Sequence, residues 1–396
     1  MPEHPHMCDY TTSRRHMLDN TTEHNAERCR TSLHPESAIM QRSSILVLND
    51  DILVLICDAL RPKPSPLLEG QWRYHDPNPL AGLAALSATC KRLRDLVSPS
   101  LFRRVKLGRG HWTWDDVRRA LTLPPPSRHI QHFTLDIFAH HKDHQGPEKP
   151  QPDLELAAAL ARFLNGLPRL QIIRFTIPDE CHELFKEAFQ ASAIQLSTVK
   201  TLRTTWTTQW LVRHCSAVDV LAIDAATARD SGGFPEVLSQ TTNLKHLELD
   251  THWNFQDLGS IRKIAPELEV LAISRNVRPY HDAFERMIPT ISTFSKLRVL
   301  ALGSVDQLGV PGLSRRPRCG NAYHGPGGKA LRERLANERI VASQTIATNV
   351  FGACIELREL WISDYAKYTV TRNGDGSVAH IHMSGERRPK PTEAAY

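Results

Sequence analysis

Leu244-Lys245-His246-Leu247-Glu248-Leu249 decides how the chain is read. Leucines at the first, fourth and sixth positions put two side chains on one face of a short strand, with a third at its start. The form returns as Leu268-Glu269-Val270-Leu271-Ala272-Ile273, Leu297-Arg298-Val299-Leu300-Ala301-Leu302 and Leu357-Arg358-Glu359-Leu360-Trp361-Ile362. Looser versions precede it: Ile130–Leu135, Leu170–Phe175, Val199–Leu202 and Val218–Ile223. The later starts lie about 24, 29 and 60 residues apart, so the last interval hides a repeat or holds an insertion.

Between these runs lie helical patterns, plainest at Leu154–Leu164 and ended by Gly166 and Pro168. Others are expected at Leu184–Phe189, Leu258–Ile264, Ala283–Phe294 and Lys329–Phe351. Strand followed by helix, repeated, predicts parallel strands joined by crossovers with helices outside. L-x-x-L-x-L is the strand half of a leucine-rich repeat. The intervening residues Lys245, His246, Glu248, Glu269, Arg298, Arg358, Glu359 and Trp361 are expected on a concave surface.

Upstream, Leu46 to Leu60 is amphipathic, with Ile52, Leu55, Ile56, Ala59 and Leu60 on one helical face. Asn49 is read as its N-cap, Asp50 and Asp51 complement the helix dipole, and Pro62, Pro64 and Pro66 end it. Apolar spacing resumes at Leu80, Leu83, Leu86, Cys90, Leu93 and Leu96 until Ser98-Pro99, followed by Leu101-Phe102-Arg103-Arg104-Val105. Three short helices in about 60 residues have little core of their own.

These residues carry a resemblance. Leu48-Asn49-Asp50-Asp51-Ile52-Leu53 through Leu60, then Leu83 through Cys90-Lys91-Arg92-Leu93-Arg94, then Pro99-Ser100-Leu101-Phe102-Arg103, resemble an F-box. Asn49 stands where that family has proline, Cys57 where it has a large apolar residue, and about eighteen residues around 62–78 lengthen the first loop. With the strands behind it, the chain is similar to fungal-type F-box proteins with degenerate leucine-rich repeats. The expected fold is α/β: an N-terminal three-helix F-box, then an irregular leucine-rich-repeat solenoid.

The boundaries read as a disordered tail 1–43, the F-box 44–107, a linker helix 108–126 and the solenoid 127–365. Within the solenoid, Gly and Pro mark 306–328 as a loop insertion. A β-hairpin at 366–384, turning at Asn373-Gly374-Asp375-Gly376, is expected to cap the last strand, and 385–396 to be a disordered tail.

Composition excludes several classes. A charge of +6 over 396 residues is too diffuse for a nucleic-acid footprint. No apolar run approaches the ~20 residues of a membrane span, and Met1–Asn20 lacks the apolar core of a secretory signal. Eight scattered cysteines without a CxxC pair fit a reducing compartment, cytoplasmic or nuclear. There is no G-x-S-x-G, P-loop, dinucleotide fingerprint or H-E-x-x-H, so no enzyme, cofactor or metal is expected. His140-His141-Lys142-Asp143-His144 reads as a solvated loop, and His380 and His382 as surface residues of the hairpin. Trp206, Trp210, Trp253 and Trp361 read as core or rim residues sooner than as a ligand cage; on the concave side large aromatics would be natural anchors for a protein partner.

The resemblance implies a non-enzymatic substrate receptor. The F-box would dock a Skp-type adaptor, and through it a cullin scaffold of a ubiquitin ligase, while the repeats hold an unknown target protein. Its adaptor-facing positions fall on Leu48, Asn49, Ile52, Leu53, Ile56, Leu86 and Leu93, some of which must instead form the small core. The alternative is a leucine-rich-repeat interaction scaffold that binds no adaptor.

Overall fold

The computed structural model describes residues 48–59, 81–108, 113–122, 127–137, 151–224, 234–250, 255–274, 284–310, 313, 324–363 and 365–388. Residues up to Asn49 form a unit distinct from the one that begins at Asp50. The tail 1–43, the first loop, the histidine run 140–144 and much of 306–328 lie outside the described residues.

The chain is a mixed α/β protein built on an eleven-stranded, mostly parallel sheet whose spatial order follows the sequence. Strands β1 (Arg104–Leu107), β2 (His132–Asp136), β3 (Ile172–Thr176), β4 (Thr201–Thr205) and β5 (Val220–Asp224) open it. They continue as β6 (His246–Asp250), β7 (Val270–Ile273), β8 (Val299–Leu302) and β9 (Glu359–Ile362), all parallel. Then β10 (Ala366–Arg372) turns back antiparallel on β9, and β11 (Val378–Ser384) pairs antiparallel with β10. This hairpin turns at Asn373–Ser377, where Asp375 accepts from the Ser377 amide at 2.9 Å and Gly376 takes φ +83°. The Asn-Gly-Asp-Gly run is therefore a turn held by its own hydrogen bonds.

The repeated apolar positions face one side. Leu244, Leu247 and Leu249 are buried, as are Leu268, Leu271, Ile273 and their counterparts in β8 and β9. Helices fill that side. Helix α5 (Leu154–Asn165) starts where the Asp153 side chain accepts from the Leu156 amide at 2.8 Å. It buries Leu156, Leu160 and Leu164, one residue per turn along a single stripe, and stops at Gly166. Helix α6 (His182–Ala191) adds Phe185 and Phe189. After β4 the chain takes a 3₁₀ path, Trp206–His214, that the sequence pattern does not announce. It brings Trp210 within 5.2 Å of Phe189, ring centre to ring centre, in an edge-to-face contact, so Trp210 is a core residue.

Short helices α7 (Phe234–Leu238), α8 (Phe255–Ile264) and α9 (Ile288–Ile291) serve the later strands. Among the described residues, the interval of about 60 residues holds no further strand of the sheet. Because β8 pairs directly with β9, the whole interval is one crossover, and its main element is α10 (Gly325–Ala353). Four residues expected in the loop, 325–328, form the first turn of α10. Helix N-termini tolerate Gly and Pro, since their amides have no partner in the preceding turn.

Before the sheet come α1 (Asp50–Ala59), α2 (Ala81–Thr89) and α3 (Lys91–Leu101), and between β1 and β2 lies α4 (Trp114–Thr122). The chain breaks at Cys90, not at Ser98-Pro99. The Cys90 sulfur accepts from the Leu93 amide and caps α3, while Pro99 sits inside its last turn. The exit then forms β1, too short to show an alternation, and it is tied to β2 where Gln131 and His132 donate to the Arg103 carbonyl.

Candidate functional site

Two surfaces stand out, an apolar helix face and the side of the sheet without helices. On the first, α1 carries apolar residues almost all round, which leaves its orientation to packing. Leu53 and Cys57, one turn apart, are buried at 1% and 3% exposure. Cys57 packs with Leu83 of α2 and Val97 of α3, with Leu86 and Leu101 against them. The stripe read as one amphipathic face points outward. Ile52 is 43% and Leu55 67% exposed, Val54 is exposed, and Ile56 is half-buried. Arg92 of α3 reaches the start of the helix, donating through Nε and Nη2 to one Asp50 oxygen, at 3.0 and 2.6 Å, in an exposed pair.

The residues nominated for adaptor contact thus divide. Leu53 and Leu93 are buried core residues, which removes them from a contact surface. Ile52 and Asn49 are exposed, and Leu48, Ile56 and Leu86 are half-buried. Val54 and Leu55 belong with the exposed set. Leu55 was visible in the stripe; Val54 had no sequence signal, being adjacent to the buried Leu53.

On the open side of the sheet, one register row runs Lys106, Thr134, Arg174, Arg203, Ala222, Glu248, Ala272, Ala301, Trp361 and Lys367. The row changes character midway. From β6 onward it is covered. Ala272, Ala301 and Trp361 form a small apolar cluster, with Trp361 only 2% exposed. The Lys367 ammonium lies 5.4 Å from the Trp361 ring centre and pairs with Glu359 and Glu386. Trp361 is thus a packed residue that offers no open anchor on a concave surface, because its ring packs over the small alanines of β7 and β8. Glu248 is buried as well; Lys245, Arg298 and Arg358 remain exposed, at the starts of their strands.

What covers Glu248 comes from the far end of the chain. Arg388, expected in a disordered tail, is 8% exposed and donates to Glu248 at 2.9 Å. Gly385–Arg388 thus cross back over the open side. Burial pushes the Glu248 carboxyl up, but the neighbouring His246 imidazole and the Arg388 and Arg203 guanidinium groups outweigh it and hold the acid below its usual range. Past the ends of β7 and β8, a pocket of about 220 Å³ is bounded by Ser274, Ser304, Gln307, Ser363, Tyr365 and Arg388.

Among the described residues, nothing comparable covers the half from β1 to β4, and it is basic. Arg104 and Lys106 are exposed, and His132, Arg174 and Arg203 are half-buried. Arg203 donates to both Asp224 oxygens, at 2.8 and 3.1 Å, and Lys106 lies 3.5 Å from Asp136. The Arg174 Nε is buried without a hydrogen-bond partner. Burial, with the charges of Arg104 and Arg103, lowers the His132 imidazole to about 4, so it is neutral at physiological pH. The arginines were overlooked because the early strands barely match the leucine pattern, although Arg174 holds its fifth position.

Among the described residues no group of His, Cys, Asp and Glu is arranged to hold a metal, and no helix is long and apolar enough to cross a membrane. His380 and His382 are exposed on β11. Burial pushes the Cys215 thiol up to about 12 and those of Cys181 and Cys354 to about 11, which keeps them protonated and unreactive. No family model and no curated protein matches the chain.

Proposed function

We propose that the protein is a substrate receptor of a Skp–cullin–F-box ubiquitin ligase. Helices α1–α3 serve as the F-box and the strand–helix array as a leucine-rich-repeat domain that holds a target protein. The observation that carries this reading is the split of α1. Its Leu53 and Cys57 supply the small core, which leaves Ile52, Val54 and Leu55 as exposed apolar side chains on one short helix. Such a face is the kind of surface a partner helix or groove covers.

The mechanism is proximity. A receptor that grips the adaptor at one end and the target along the sheet raises the effective concentration of target lysines near a ubiquitin-charged enzyme, with no catalytic side chain of its own. The test is co-expression with a Skp-type adaptor and size-exclusion chromatography, using Ile52→Asp with Leu55→Asp. Both positions are exposed, so the variant keeps its fold and loses the adaptor. A folded wild type that elutes alone makes the chain an interaction scaffold instead.

A further inference from the structure

We infer that the open face of β1–β4 docks an acidic segment of a protein partner, whose carboxylates engage Lys106 and Arg174. The inference rests on the receptor reading only for its purpose, since it places the target's docking surface.

Three observations converge. First, the other half of the same face is filled from within the chain by Trp361 and Arg388, so among the described residues β1–β4 is the stretch left open. Second, cations prevail there: Arg104, Lys106, Arg174 and Arg203 against Asp136 and Asp224. Asp224 is engaged by Arg203, and Asp136 lies 3.5 Å from Lys106. Third, the Arg174 Nε is a buried donor without an acceptor, and such a group gains when a ligand supplies one.

The spacing fits an extended chain. Lys106 and Arg174 stand two strands apart, about 10 Å, and an extended chain presents every second side chain on one face at about 6.6 Å, a difference that the long Lys and Arg side chains can span. The row between and beside them offers Thr134, Ile172 and Thr201, half-buried polar and aliphatic side chains that suit a peptide. Strand positions on this face of β1–β4 carry no Phe, Tyr or Trp, and the one aromatic ring there, His132, is half-buried, so a run of bases has no stacking platform, which disfavours single-stranded nucleic acid.

The test is fluorescence anisotropy of the full chain with a labelled peptide of alternating glutamate and glycine. A glutamine–glycine peptide and a uridine oligonucleotide serve as comparisons. The glutamate peptide is expected to bind, with salt-sensitive affinity, and both comparisons more weakly. Arg174→Glu and, separately, Lys106→Glu weaken binding about tenfold or more, whereas Arg358→Glu at the opposite end has no effect. Lys106 is exposed, so its variant reports binding even where Arg174→Glu disturbs the sheet. No binding of the glutamate peptide, equal binding by the Arg174 and Lys106 variants, or preference for the oligonucleotide overturns the inference. Adaptor co-elution of the Lys106 variant is read alongside. Retained adaptor with no wild-type peptide binding defeats the docking surface alone, and peptide binding without any adaptor defeats the receptor reading alone.

Discussion

Arg388 donates to Glu248 at 2.9 Å across 140 positions of sequence, and both side chains are about nine-tenths buried. The pair ties the end of the described chain to the middle of the sheet, over the alanines of β7 and β8. Replacing Arg388 by Ala removes the one guanidinium bonded directly to this buried carboxylate and leaves it only His246 and the more distant Arg203, a change on the order of 3 kcal/mol. The denaturation midpoint of Arg388→Ala should fall accordingly, and adding Glu248→Gln should restore part of it. Equal midpoints for wild type and Arg388→Ala would show that the strap does not stabilise the fold. The same pair sets an acid limb. Glu248 is held below its unfolded value, so its contribution is present above about pH 4.3 and is lost as pH falls through the folded value.

His132 works in the opposite sense to a paired histidine. Its folded value is about 4, below the unfolded value of about 6.5, so between these the unfolded chain binds more protons. Stability therefore rises with pH through that window and is flat above it as far as His132 is concerned. His132→Asn is expected to shrink the difference in melting temperature between pH 7 and pH 5. An unchanged difference assigns the acid sensitivity to other groups.

Tyr368 joins the hairpin to the long crossover helix. Its hydroxyl lies 2.7 Å from the Ser343 hydroxyl, which itself donates to the Ile340 carbonyl at 2.9 Å. Tyr368→Phe removes one buried hydrogen bond and should cost about 1 kcal/mol. Tyr368→Ala also empties a site that is 1% exposed, and should cost about 3–5 kcal/mol. Thermal or denaturant unfolding of the two variants checks the ordering.

Gly108 closes β1 with φ +87°, and a Cβ there would lie 2.4 Å from the Asp136 carbonyl oxygen. Gly108→Ala combines left-handed strain with a backbone clash, so a loss of about 2 kcal/mol or more is expected in denaturant melts. Because β1 leads directly from α3, the variant should loosen the first strand pairing, which amide exchange at Val105 and Leu107 would register.

The strands were legible because burial repeats along them. All eight apolar runs coincide with β2–β9, since one side of every strand meets the helices and must be apolar. The orientation of α1 was not legible. Its residues Ile52, Leu55 and Ile56 make as good a stripe as Leu53 and Cys57, and only the positions of Leu83 and Val97 decide which pair is buried. Arg388 left no local signal, because a charged residue after a hairpin looks the same whether or not a buried glutamate waits 140 positions earlier. For the same reason Trp361, alternating with Leu360 and Ile362, looked exposed until the alanines facing it in register gave its ring a floor.

The central claim concerns the exposed apolar face of α1. Its most direct test is size-exclusion chromatography of the full chain co-expressed with a Skp-type adaptor, beside the Ile52→Asp, Leu55→Asp variant. The account predicts a wild-type complex that co-elutes and a folded variant that elutes without adaptor. Wild type eluting alone, or a variant that still carries the adaptor, would contradict it.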